Sequence, residues 1–156
     1  MSPARVVFWA IFTVSGVWLQ SFMPGLDFFA PGLVLCFQEE DTRAVVALAV
    51  LWLLLQEGMG SLAFGTGILW YGILAALFFF GHWLFEAKNF VFMIILGVCL
   101  GVMHFALTQI MAQLQDWLVS PGRVMMESLL QAVVFPVQWG LIYIIYSHLE
   151  QNGQDV

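Results

Sequence analysis

Three stretches, residues 62–85, 90–111 and 124–146, each run beyond twenty residues on mainly apolar side chains. A helix of about 20 apolar residues matches the hydrocarbon thickness of a bilayer. Inside that layer every backbone N–H and C=O must find a partner within the protein, which leaves helices or a closed barrel. The runs show no two-residue alternation, so they predict helices. The rest of the chain agrees: 62% of the 156 residues are apolar and 9% are charged, where soluble domains average about 25% charged. The expectation is an all-α, polytopic transmembrane helical bundle, a single integral membrane domain over residues 1–156.

Ten acidic and four basic residues give a net charge of −6, and most of them fall at the ends of apolar runs. Four bases are too few for a nucleic-acid footprint, so no nucleic acid is expected as a partner. Cys36 and Cys99 both sit within apolar runs, without CxxC spacing. They read as packing residues rather than a disulfide framework. Arg5 followed by an apolar stretch has the order of a signal peptide. It lacks a small-x-small cleavage site, and further apolar segments follow, so it reads as a retained first crossing.

About six segments are expected. The first, residues 6–23, ends at Pro24-Gly25; the second, 28–38, carries Pro31-Gly32 and is short or incomplete. The third, 44–55, stops at a turn over 56–60. The fourth covers 62–85 and the fifth 90–111, with one more turn reaching Asp116. A loop over 117–122 leads into the sixth, 124–146, and a polar tail over 148–156. If segment two does not cross, Arg5 and Arg123 share one side against Arg43 and Lys88, which no orientation rule explains. If it crosses, Arg5, Arg43 and Lys88 share a side against Arg123. Positive residues favour the cytoplasmic side. Six passes with both termini in the cytoplasm are therefore expected.

Ionisable groups inside a bilayer are functional suspects, but here they look scattered. His82 and Glu86 share a helix face at four-residue spacing, and with Lys88 beside them they suggest an interfacial ion pair rather than metal ligands. His104 lies about 18 Å from the depth of His82, at 1.5 Å per residue around a turn near Ala87. It reads as a hydrogen-bonded interior residue near Thr108 or Gln109. Ser15, Ser61 and Ser128 have no evident histidine at matching depth, and Asp27, Asp41, Asp116 and Asp155 fall in loops or at ends. With HExxH, Walker and GxSxG patterns missing, no catalytic residue, metal ligand or cofactor is expected.

The helices offer packing signals instead. Gly97 and Gly101 form a GxxxG, and Ser61 and Gly65 repeat the small-xxx-small spacing. Such residues let helices approach closely, inside the bundle or against a partner. Gln131, Gln138 and a kink at Pro136 are open to the same two readings. Trp9, Trp83 and Trp117 fall near segment ends, where indoles anchor at the headgroups. Trp52, Trp70 and Trp139 look deeper.

The layout resembles the MreD family, the small membrane subunit of the bacterial rod-shape machinery. The resemblance rests on the first crossing ending in Leu19-Gln20-Ser21-Phe22-Met23-Pro24 and on Pro31-Gly32-Leu33 opening a short second segment. It continues through the turn Gly58-Met59-Gly60-Ser61-Leu62 into an aromatic fourth segment, and on to Phe135-Pro136 within the last helix. It implies a fold similar to the substrate-binding subunits of energy-coupling-factor transporters. It also implies a non-enzymatic role in cell shape and peptidoglycan synthesis, with the single-pass scaffold MreC as partner, beside the wall synthases, the actin-like cytoskeleton and membrane lipid. The alternative on the same fold is a subunit binding a vitamin-like small molecule for a transporter.

Overall fold

The computed structural model describes residues 3–39, 41–59 and 65–154 of the chain. Among them every regular element is helical: α1 (Pro3–Phe22), α2 (Ala30–Gln38), α3 (Thr42–Met59), α4 (Thr66–Leu84), α5 (Phe90–Leu114) and α6 (Pro121–Gln154). Four of these, α1, α4, α5 and α6 up to Leu149, are long and apolar enough to cross a membrane. Helix α2 has 9 residues, about 14 Å at 1.5 Å each, so it cannot cross an unthinned bilayer unaided. It has no need to face lipid. Residues Phe29 to Cys36 are all buried, and α2 lies against α3, α4 and α6.

The start of α1 and the C-terminal part of α6 lie together at one end of the bundle. The Arg5 guanidinium stands 5.9 Å from the centre of the Tyr146 ring, and Phe8 meets the same ring edge-on at 5.3 Å. Lys88, in the α4–α5 turn, joins this end through an ion pair with Glu39 at 3.2 Å and lies over Tyr143. Arg43, at the start of α3, shares a pocket wall with Val6. Arg123 sits at the opposite end, paired with Glu127 at 2.8 Å. The described contacts thus divide the four basic residues three to one.

Several boundaries differ from the sequence reading. Helix α3 continues past Leu55 to Met59, because Gln56 and Glu57, which looked like turn residues, find hydrogen-bond partners inside the protein. Helix α6 starts at Pro121, where a missing N–H costs nothing; the carbonyl of Ser120 takes the first bonds, from Arg123 and Val124. It then runs through the polar tail to Gln154, since no glycine or proline interrupts residues 141–152 and Leu, Glu and Gln are good helix formers. Lys88 pairs with Glu39 rather than with Glu86, while His82 stacks on Phe78.

The most extensive contact is between α5 and α6. A methyl group on Gly97 would lie 2.8 Å from the carbonyl oxygen of Ala132, and one on Gly101 would lie 2.7 Å from that of Ser128. Pro136 has no N–H, so the Ala132 carbonyl loses its usual helical donor. Gly97 packs onto that carbonyl. The GxxxG is therefore an internal seam. Gly65 instead caps α4 at a left-handed φ of 99°, off any helix stripe, and Ser61 lies outside the described residues.

Candidate functional site

The connection between α1 and α2 carries the polar centre of the molecule. Asp27 follows the Pro24-Gly25 turn and is 8% exposed. Its Oδ1 accepts the backbone N–H of Phe29 at 2.8 Å and of Ala30 at 3.2 Å, opening α2 as an Asx turn. The same oxygen accepts Gln56 Nε2 of α3 at 2.6 Å, and Oδ2 accepts Trp70 Nε1 of α4 at 2.6 Å. One side chain thus ties α2, α3 and α4. Gln131 of α6 clamps its backbone from both sides, accepting from Asp27 N at 2.9 Å and donating to Asp27 O at 3.3 Å. Seven residues on, Gln138 donates to the Phe28 carbonyl at 2.8 Å. Both glutamines therefore face inward. Burial holds the Asp27 carboxyl above its ordinary value, while bonds from Trp70, Phe29, Ala30 and Gln56 oppose that rise.

Glu57 is one residue further along α3. Its carboxylate takes the N–H of Gly65 at 3.0 Å and of Gly67 at 2.8 Å, placing an anion at the N-terminus of α4, where free N–H groups and the helix dipole favour it. Gly25 is held beneath the Glu127 carboxylate, and a side chain there would collide with it.

His104 does have a serine at its depth, contrary to the sequence reading: its Nδ1 lies 3.0 Å from Ser128 Oγ across the α5–α6 seam. Neither Thr108 nor Gln109 is its partner. The Ser128 hydroxyl donates to the Val124 carbonyl at 2.8 Å, and the imidazole also bonds the Gly25 backbone. The pair works as a tie between two helices. The His104 ring also meets Trp70 edge-on at 5.9 Å, twelve residues along α4 from His82, which keeps the two histidines far apart in depth.

These groups surround a cleft of about 150 Å³ at the end opposite the termini, lined among others by Gln20, Asp27, Glu57, Thr66, Trp70 and His104. Among the described residues, no three His, Cys, Asp or Glu side chains converge as a metal site would require. Cys36 and Cys99 are free thiols.

The deep tryptophans act as donors as well as bulk. Trp52 Nε1 donates to Thr13 Oγ1 at 2.9 Å, and Trp139 Nε1 donates to Gln38 Oε1 at 3.1 Å. Trp9, placed by its sequence position at a membrane interface, is 5% exposed and packed among Phe8, Phe12, Trp52 and Tyr146. Trp83 and Trp117 are open to the surroundings, at 83% and 50%. The sequence reading missed Asp27 as a centre. The signal was available: a lone acid two residues ahead of a Phe-Ala-Pro helix start, with apolar residues on both sides.

By fold and hydropathy, then, this is a small helical bundle of the membrane class. Compared with known proteins, the chain matches no family model, no curated protein and no solved structure.

Proposed function

We propose that the chain is a non-enzymatic membrane subunit of the bacterial cell-elongation machinery, of the MreD kind. In this reading both termini are cytoplasmic and the bundle holds an MreC-like single-pass scaffold, supporting peptidoglycan synthesis. One observation carries the choice of a binding role over a catalytic or transport role. The carboxylates that converge inside the bundle are engaged within the protein: Asp27 takes four donors and Glu57 caps α4, which leaves Gln20 Oε1 as a buried polar atom at the cleft without a partner among the described residues. A site built to act on a ligand holds its polar groups ready for that ligand. The resemblance in residues 19–24, 31–33, 58–62 and 135–136 supplies the identity of the machinery.

The test is affinity purification from native membranes with identification of what co-purifies. A single-pass scaffold supports this reading. An ATPase-coupling subunit supports the second one, a small-molecule binding subunit, which draws on the cleft near Asp27. At about 150 Å³ that cleft is small beside the roughly 300–1,000 Å³ usual for such sites.

A further inference from the structure

The second feature of the bundle surface is a groove between α1 and α3, at the end that carries the termini. Its volume is about 800 Å³. Trp9, Ala44 and Leu48 form its floor, all buried. Behind the floor the Trp52–Thr13 hydrogen bond holds the two helices together. The walls are two stripes at helical spacing: Val6, Ala10 and Val14 on α1, and Arg43, Ala47 and Leu51 on α3, all exposed. Small side chains on both walls hold the groove open.

An apolar trough of this size within the bilayer is filled by something apolar, and its depth selects what. From Val6 to Val14, or from Arg43 to Leu51, is eight residues, about 12 Å of helix. That is close to half of a hydrocarbon core of about 30 Å. A membrane-spanning partner helix would need a trough running the full height, whereas an acyl chain occupies one leaflet. The mouth adds a headgroup contact. Arg43 stands there exposed, with no ion pair among the described residues, and a guanidinium suits a phosphate in charge and hydrogen-bond geometry. An acid, Asp41, lines the same mouth, and its Oδ1 is engaged by the backbone, accepting Ala44 N at 3.2 Å.

We infer that the α1–α3 groove is a phospholipid site in the leaflet nearest the termini, taking one acyl chain between the two stripes and the phosphate on Arg43. Exposed faces elsewhere, such as Val98 on α5, meet only exchanging lipid.

Photolabelling tests this on the full chain, in vesicles of phosphatidylethanolamine doped with phosphatidylglycerol carrying a diazirine in its tail. Adducts should concentrate on Ala10, Ala47 and Leu51 over Val98. Ala47→Trp fills the trough from an exposed position and should cut groove labelling at least about fivefold, leaving Val98 labelling as it was. Arg43→Gln should weaken lipid retention in native mass spectrometry about tenfold, the loss of one charge-assisted contact. Even labelling of all exposed faces, or groove labelling unchanged in Ala47→Trp, would overturn the proposal. So would cross-links from the groove to a second copy or to another membrane protein in place of lipid.

Discussion

Trp70 Nε1 donates to Asp27 Oδ2 at 2.6 Å, so the N-terminal part of α4 is fastened to the loop that launches α2. Lipid tails are as apolar as the side chains they touch. Helix association in a bilayer therefore rests on packing and on interhelical hydrogen bonds such as this one. Trp70→Phe keeps the ring and removes the donor. It should lower stability by about 1.5–3 kcal/mol, the typical value of a bond to a charged acceptor. Thermal melting in detergent reads this directly, and an unchanged midpoint would show that Asp27 does not depend on α4.

The α5–α6 seam gives a second prediction. Leucine at both Gly97 and Gly101 must displace the carbonyls of Ala132 and Ser128, which are backbone atoms that cannot rotate aside. Overfilled interiors typically lose about 1–3 kcal/mol per site. The isolated protein should melt earlier without any partner present. A wild-type melt together with lost co-purification of a scaffold would place the partner, not α6, on that stripe.

The pH dependence follows from Asp27. Burial raises its carboxyl pKa above the ordinary 3.8, so between that value and the raised one the folded state holds a proton that the unfolded state has released. In that window the unfolded chain binds fewer protons than the folded one, and stability falls as pH rises. The contribution is complete below 3.8 and lost through the folded pKa. Glu57, Glu127 and His104 lie near the same end, so Asp27→Asn is the control. Its melting curve should lose part of the wild-type pH slope above pH 4, and an identical slope would contradict the assignment.

Topology is open to a direct check. Reporter fusions at position 156 and at the N-terminus should report the same side of the membrane, because Arg5 lies over Tyr146. In the proposed orientation that side is the cytoplasm. Opposite sides would break the bundle described here.

How much of this was legible in the sequence depends on what kind of signal each feature leaves. Long apolar runs announce α4, α5 and α6 because membrane insertion is a property of a single segment. The Gly97–Gly101 spacing read as a packing signal, since close approach needs small residues wherever the neighbour is. Its neighbour became known only with α6 in place. Gln56 and Glu57 looked like a helix stop because polar residues at the end of an apolar run ordinarily meet water. Their partners are Asp27, twenty-nine residues before Gln56, and the N–H groups of Gly65 and Gly67. His104 and Ser128 looked unrelated because the depth of a residue in α6 depends on where that helix starts. It starts at Pro121, not after the loop expected there. Polar convergence is a tertiary fact, carried by separations of up to 110 residues, and composition cannot show it.

Ser128→Ala should behave as a lost tie. The His104 bond goes, the seam keeps its packing, and about 1 kcal/mol of stability is expected to disappear, with cell-shape rescue intact in a strain lacking the native protein. Complete loss of rescue at wild-type stability would mean that the hydroxyl does chemistry.

The central claim is that the polar centre holds the bundle together and does not act on a substrate, and Asp27→Asn tests it most directly. The substitution keeps shape and removes the charge. Melting temperature and rescue of cell shape are measured on the same variant, with Asp27→Ala beside it. The prediction is that rescue falls only in step with the folded fraction, mildly for Asn. For Ala, which strands Gln56, Trp70 and two backbone N–H groups, the fall is steeper, at about 2–4 kcal/mol. An Asp27→Asn protein that melts and assembles as wild type yet fails to rescue would contradict it.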